Sequence, residues 1–218
     1  MSKFTLVTAA WRSDGLKKVI KCIDAQTVID WQHIIVNDNS LEVRKFLEEN
    51  DYFEEDNKRH VIDLHTRTHW FGCYARNVGV QIAFTYIKNK HREYGNEYIV
   101  FLDDDNYISP THLEVISKTI EENKNSPLIG FDILRVGKKD PNNKKYIRCE
   151  LYPQLCDLGS FAYRTDMFEK YGYFRARKEK KIQFDWEFID KIIKGEGVDK
   201  IKIIHTDDPT FHFYHKKY

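Results

Sequence analysis

The strongest constraint in this sequence is the apolar run Tyr98–Leu102, which ends directly on Asp103, Asp104 and Asp105. Five apolar residues rich in β-formers predict a buried strand. Adjacent carboxylates repel one another, and such a cluster persists only beside something positive. A hard divalent cation is the simplest partner, because Mg2+ and Mn2+ prefer carboxylate oxygen and leave coordination sites for phosphate. In an extended segment Asp103 and Asp105 point one way and Asp104 the other, so the predicted ligand pair is Asp103 and Asp105. The alternative is a solvated turn in which Asp105-Asn106 caps the helix starting near Pro110.

Around this strand the chain alternates. Phe4–Ala9 reads as a strand, and Leu16, Val19, Ile20 and Ile23 then recur at helical spacing with Lys17, Lys18 and Lys21 opposite. Trp31–Val36 reads as a second strand, closed by the turn-prone Asn37-Asp38-Asn39-Ser40. A helix over Val43–Glu49, a strand near His60–Leu64 and a helix over Ala75–Lys90, marked by Val78, Ile82 and Tyr86, precede Tyr98. Beyond the aspartates, Ser109 reads as an N-cap with Pro110 at the first helical position. Leu113, Ile116 and Ile120 form the buried stripe, and Leu128–Leu134 is another strand. The pattern predicts an open, mainly parallel α/β sheet, with ligand sites at the carboxyl ends of its strands. Asn37-Asp38 and Asp103–Asp105 lie at two such ends. The remainder is less regular: a turn-rich Gly137–Lys145, a strand-like Tyr146–Tyr152, a Gly159-Ser160 turn and a helix over Phe184–Lys194. Neither an internal repeat nor a flexible linker is evident, and one domain is expected.

Composition removes several classes. With 218 residues, 41% hydrophobic and 32% charged, the chain can bury one sizeable core and is not disordered. Thirty-five basic residues against 34 acidic ones give a net charge of +1, without the basic excess of a general nucleic-acid binder. Cys22, Cys73, Cys149 and Cys156 form no CxxC pair and are expected to be reduced thiols. The start, Met1-Ser2-Lys3-Phe4, carries no leader pattern, and no apolar run is long enough for a transmembrane segment. A cytoplasmic location is expected, with peripheral membrane contact left open.

Several motifs stand in a telling order. Ala75-Arg76-Asn77-Val78-Gly79 lies upstream of the strand that ends in Asp-x-Asp. In this the chain resembles family 2 glycosyltransferases of the GT-A fold, which carry an Ala-Arg-Asn-x-Gly helix start ahead of the metal motif. Val36-Asn37-Asp38-Asn39-Ser40 is similar to the family's Val-Asp-Asp-Gly-Ser nucleotide turn, and Thr8-Ala9-Ala10-Trp11-Arg12 sits where its first strand meets the nucleotide. Gly159-Ser160-Phe161, Tyr163-Arg164 and Gly172-Tyr173-Phe174 look like its acceptor-side segment, and Phe184-Asp185-Trp186-Glu187-Phe188 looks like Glu-Asp-Trp-Asp-Leu. The likeness runs from about residue 4 to 215. It departs at Asn37, Asn39, Ala10 and Phe184, where the family has an acid, a glycine, a tyrosine and an acid. The helix after Asn77 is also longer than usual, reaching the Lys88–Glu93 charge run.

The resemblance implies a GT-A-type (Rossmann-like), mixed but mainly parallel central sheet flanked by helices. Residues 1–107 would be the nucleotide-binding half and 108–218 the acceptor-binding half of a single domain. It implies transfer of a sugar from a nucleotide diphosphate donor, by family habit a UDP-sugar, to a carbohydrate or other hydroxyl acceptor with inversion. Asp185 would be the base that takes the acceptor proton. Thr8, Ala10, Trp11, Arg12, Asp38, Arg76, Asp103 and Asp104 would line the donor. Asp103 and Asp105 would hold Mn2+ or Mg2+ against the diphosphate, with a late histidine, His212 ahead of His215, as a further ligand. Arg76 and Arg12 would pair with phosphate. The basic run Arg175–Lys181 is either a solvated loop or a lid.

Plainer readings stand beside these. Asp185 is equally a first-turn acid that stabilises its helix, and His212 equally a packed histidine between phenylalanines. A sugar-1-phosphate nucleotidyltransferase would need a glycine-rich basic loop after the first strand, which Thr8–Arg12 lacks. A haloacid-dehalogenase-type phosphatase would need Thr or Val at Tyr107. A non-catalytic sugar-nucleotide or glycan-binding module would retain its affinity when Asp185 is replaced.

Overall fold

The computed structural model describes residues 4–54, 58–68, 72–89, 97–137, 144–152, 158–175 and 184–215. The predicted alternation is present: β1 (Phe4–Ala10), α1 (Ser13–Asp24), β2 (Trp31–Asn37), α2 (Leu41–Glu49), β3 (Arg59–Asp63), α3 (Cys73–Asn89) and β4 (Tyr98–Phe101) follow in turn. The chain continues through β5 (Asn106–Ile108), α4 (His112–Glu122), β6 (Leu128–Phe131), β7 (Ile133–Gly137) and β8 (Lys144–Ile147). It ends with β9 (Phe161–Arg164), α5 (Asp166–Tyr171), α6 (Phe184–Glu196), β10 (Lys202–Ile204) and β11 (Phe211–His215).

Among the described residues, seven strands form one sheet in the order β10-β6-β9-β4-β1-β2-β3, and four form a second, β5-β11-β7-β8. Within the larger sheet only the pairs made by β9 are antiparallel. This is the mixed, mainly parallel α/β architecture that the pattern implies. Its central strands are buried along their length, as a sheet covered on both faces requires. Helix α1 contributes Leu16, Val19, Ile20 and Ile23 to the core, and α4 contributes Leu113 and Ile116. Each such side chain stabilises by about 1.5–3 kcal/mol on burial.

Register explains why the polar residues gather. Lys202, Ile129, Ala162, Val100, Leu6, His33 and Arg59 form one row across the sheet. Three or four residues further along the parallel strands come His205, Asp132, Asp103, Asn37 and Asp63. All five therefore leave the sheet at the same edge, the carboxyl ends of parallel strands.

Helix α3 lies against β1 and β2. A Cβ on Gly79 would stand 2.4 Å from Val7 Cγ1, so glycine permits that close approach. Helix α3 meets the core on more than the expected stripe, of which Val78 and Ile82 pack against the core and the Tyr86 side chain lies outside the described residues. Val80, Ala83 and Phe84 are buried, whereas Val78 and Ile82 are half-buried.

Other differences have local causes. Leu128–Leu134 reads as one strand, but the chain breaks at Asp132 into β6 and β7, which join different sheets. The Asp132 carboxylate is wholly buried and receives the Cys149 N–H at 2.8 Å and the Thr206 N–H at 3.1 Å. The Tyr146 hydroxyl also donates to it, and His205 Nδ1 lies 3.1 Å away. That set of partners pulls the backbone out of the strand. The predicted Ser109 cap is displaced: α4 starts at His112, and the Ser109 carbonyl instead accepts the His112 N–H in the preceding turn. Strand β8 is shorter than Tyr146–Tyr152, and β9 occupies the expected Gly159-Ser160 turn's far side. Residues Met1–Lys3, 90–96, most of the Gly137–Lys145 turn, Cys156, the loop after Arg175 and the side chains of Phe184 and His215 lie outside the described residues. Among the described residues no helix is long and apolar enough to cross a membrane.

Candidate active site

The turn after β4 is fastened to the loop after β1 through Asp104, which is 5% exposed. Its Oδ2 accepts the backbone N–H groups of Trp11 at 2.7 Å and Arg12 at 2.6 Å. Its Oδ1 accepts Arg12 Nε at 2.8 Å and also Nη2. Gly15, in the first turn of α1, makes the fit possible: a Cβ there would come 1.6 Å from the Asp104 carbonyl oxygen. Arg12 Nη2 also reaches Asp105 Oδ2 at 3.0 Å. Asp103 pairs with Arg76, whose Nε is 3.1 Å from Oδ1 and whose Nη2 donates to the same oxygen. From sequence a divalent cation is the simplest neighbour for this acid cluster; the structure supplies two guanidiniums as well.

The Asp103 and Asp105 side chains retain 28% and 24% exposure. Burial pushes the Asp105 carboxyl above its ordinary pKa, Asp103 crowds it further, and Arg12 pulls it back. Two repelling, partly exposed carboxylates are an oxygen donor set that fits Mg2+ or Mn2+, which use one or two carboxylates together with substrate phosphate. Among the described residues no three His, Cys, Asp or Glu side chains come together as a metal-binding group. His212 lies on β11 opposite Tyr107 and stacks on that ring at 4.4 Å. Burial lowers its pKa, and the charges acting on it are Asp208 and Lys144. The structure thus brings β11 alongside the segment after the aspartates without adding His212 to the carboxylate pair.

Asp185 opens α6 and is half-buried. Burial raises its pKa, the Arg76 guanidinium lowers it, its own backbone N–H lowers it, and Asp103 raises it. The residues expected for proton removal, phosphate pairing and metal binding therefore act on one another. The start of α3 is fixed against the segment leading to α6 by a two-bond clamp: Asn77 Nδ2 donates to the Phe174 carbonyl at 2.9 Å, and Phe174 N–H donates to Asn77 Oδ1 at 3.1 Å. Phe161 and Tyr163, in the expected acceptor-side segment, are fully buried core residues.

On the expected nucleotide side, Asn37 Nδ2 donates to the Ser40 carbonyl at 3.1 Å and to Asp63 Oδ1 at 2.8 Å. Asn39 has φ of 56°, a left-handed conformation that asparagine tolerates where the family has glycine. Asp38 Oδ1 accepts the Thr68 N–H at 2.7 Å. Thr8 and Ala10 are fully buried, and Thr8 Oγ1 lies 2.9 Å from His33 Nε2. Trp11 is 38% exposed, and the Arg67 guanidinium sits 3.5 Å from its ring centroid. Asp63, Arg67, Asp132 and His205 were not singled out from sequence. Asp63 was findable, since it follows Val61 and Ile62 at the end of a parallel strand; Arg67 and His205 carry no local pattern.

The Glycosyl transferase family 2 profile matches residues 6–184. The chain is 27% identical over 139 residues to the uncharacterized glycosyltransferase R139 of Acanthamoeba polyphaga mimivirus, covering 56% of this chain and 53% of that relative. It is 24% identical over 217 residues to the uncharacterized glycosyltransferase YwdF of Bacillus subtilis (strain 168), covering 91% of this chain and 71% of YwdF. S. aureus TarS 1–349 in complex with UDP-GlcNAc superposes with a TM-score of 0.69 at 16% identity, over 100% of this chain and 60% of TarS. The mannosyltransferase PcManGT from Pyrobaculum calidifontis, in complex with GDP-Man and Mn2+, gives a TM-score of 0.63 at 14% identity, over 98% of this chain and 56% of PcManGT. The chain thus spans about half the length of the mimiviral relative and 60% of TarS 1–349. These likenesses show the GT-A-type fold, and because the profile covers most of the 218 residues, the chain belongs to glycosyl transferase family 2.

Proposed function

We propose that the chain transfers a sugar from a nucleotide diphosphate donor to a hydroxyl acceptor, with inversion and with the help of Mn2+ or Mg2+. The observation that carries this reading is the Asp103/Asp105 pair at a strand end, with Arg76 bonded to Asp103 and Asp185, in the first turn of α6, feeling the charge of both Arg76 and Asp103. Asp103 and Asp105 would hold the cation, which when bound offsets the charge that builds on the departing diphosphate. Arg76 and Arg12 add fixed positive charge at the same place. Asp185, with its raised pKa, takes the acceptor proton as the hydroxyl attacks the anomeric carbon from the face opposite the leaving group. Single displacement with inversion follows.

The turn at Asp38 and the Trp11–Arg67 pair suit the nucleoside. The half through residue 107 would then bind donor, and the remainder acceptor. A UDP-sugar is the first choice, supported by the UDP-GlcNAc complex of TarS; the GDP-Man and Mn2+ complex of PcManGT supports the metal and keeps GDP-sugars in the test. A thermal-shift screen of UDP, GDP, CMP and dTDP sugars with and without Mn2+ tests the proposal. UDP-sugars are expected to raise the melting temperature, and more so with Mn2+. No shift with any nucleotide sugar would overturn it.

A further inference from the structure

Arg12 makes two kinds of contact in this site. Its anchor is Asp104: Nε and Nη2 hold Oδ1, while the backbone N–H groups of residues 11 and 12 hold Oδ2. Its second contact is single, Nη2 to Asp105 Oδ2 at 3.0 Å. The anchor carboxylate is 5% exposed, the second 24%. Losing the second contact would leave the anchor intact. Three carboxylates against two guanidiniums leave one net negative charge in this turn, so the guanidiniums only partly replace a divalent cation.

We infer that Arg12 is an internal counter-cation that competes with divalent metal for Asp105, and that on metal binding it keeps Asp104 while its released N–H becomes free for a donor phosphate oxygen. The inference rests on the donor-and-metal reading above. Physically, a guanidinium and a metal cannot both use the same carboxylate lone pairs at full strength, and like charges at that distance repel. A guanidinium fork is also suited to carboxylate and phosphate alike. Arg12 therefore weakens metal binding when the donor is absent and strengthens diphosphate binding once metal is present. A purely structural arginine would move neither quantity, or both in the same direction.

The test uses the full chain, with Mn2+ alone and UDP as probes. Mn2+ binding is read by electron paramagnetic resonance of the free ion, and UDP binding at saturating Mn2+ by calorimetry. In Arg12→Gln, Mn2+ affinity without nucleotide should rise about tenfold, and UDP affinity with Mn2+ should fall by a similar factor. Arg12→Lys, which keeps charge but loses the fork, should lie between and serves if Arg12→Gln does not fold. Unchanged or weaker Mn2+ binding in the folded variants, or Mn2+ binding to none of the proteins, would overturn the inference. If UDP binds no variant and not the wild type, the donor reading falls, while the Mn2+ comparison still decides whether Arg12 competes with metal.

Discussion

Asp132 and Asp105 leave the same edge of one sheet, two strands apart, yet their carboxylates are satisfied in opposite ways. Asp132 is wholly buried and held by two backbone N–H groups, the Tyr146 hydroxyl and His205. Burial alone would push its pKa up, but Tyr146, Cys149, Thr206 and His205 outweigh it and hold the carboxyl below the ordinary value. Asp105 leans only on the end of one arginine; burial and crowding by Asp103 outweigh that contact, so its pKa moves the other way. A carboxylate caged by backbone donors cannot change partners without unfolding something. One held by the tip of a side chain can. The first belongs to the fold, and the second is the one proposed for the chemistry.

Activity should separate the two regions most widely. Replacing the proposed base, Asp185→Asn, should lower transfer by about 10²–10⁴-fold while UDP binding stays intact. Product formation and calorimetry on the same preparation check this; full turnover would remove Asp185 as base. Stability should then rank the carboxylates in reverse. Asp132→Ala leaves two buried backbone N–H groups without an acceptor and should cost about 3 kcal/mol in urea unfolding. Asp105→Ala removes a crowded charge and should change stability by less than about 1 kcal/mol. Equal losses would break the comparison.

Acid adds a third contrast. His112 is fully buried with its pKa pushed down to about 3 by burial, with His212 adding to the shift, and burial and Arg59 drive His33 the same way. Unfolded imidazole titrates near pH 6.5. Below that pH the unfolded chain binds protons that the folded chain refuses, so stability falls as pH drops from about 6.5 toward 3. Each histidine contributes up to about 1.4 kcal/mol per pH unit. The Asp132 contribution is fully present above the unfolded carboxyl range and is lost progressively as pH falls from there through its lowered folded value. Melting temperatures between pH 7 and 4 should therefore decline already in the histidine range, and a flat profile there would contradict the burial of neutral imidazoles. A comparably small effect belongs to His212→Ala, which loses one ring stack, about 0.5–1.5 kcal/mol, and should leave Mn2+ binding unchanged.

Much of this was legible in the residues. The alternation through Phe101 and the buried stripes of α1 and α4 follow from apolar spacing, because those faces meet a sheet whatever the tertiary detail. The acid cluster announced itself, since charge at the end of a buried strand has few explanations. What did not show was long-range pairing. Arg12 meets Asp104 across 92 residues and His205 meets Asp132 across 73, and no local pattern marks either pair. Strand β9 was hidden for a similar reason: four residues entering between β4 and β6 are defined by their neighbours. His212 was singled out by position, and what sequence did not show is that its ring stacks on Tyr107 across the β5–β11 pair.

Calorimetric titration of UDP into the wild type and Asp105→Ala, each with and without Mn2+, bears most directly on the acid edge. The wild type is expected to bind UDP more tightly with Mn2+, and Asp105→Ala to bind it equally with and without the metal. The same Mn2+ enhancement in both proteins would contradict the placement of the cation, and with it the proposed route to the diphosphate.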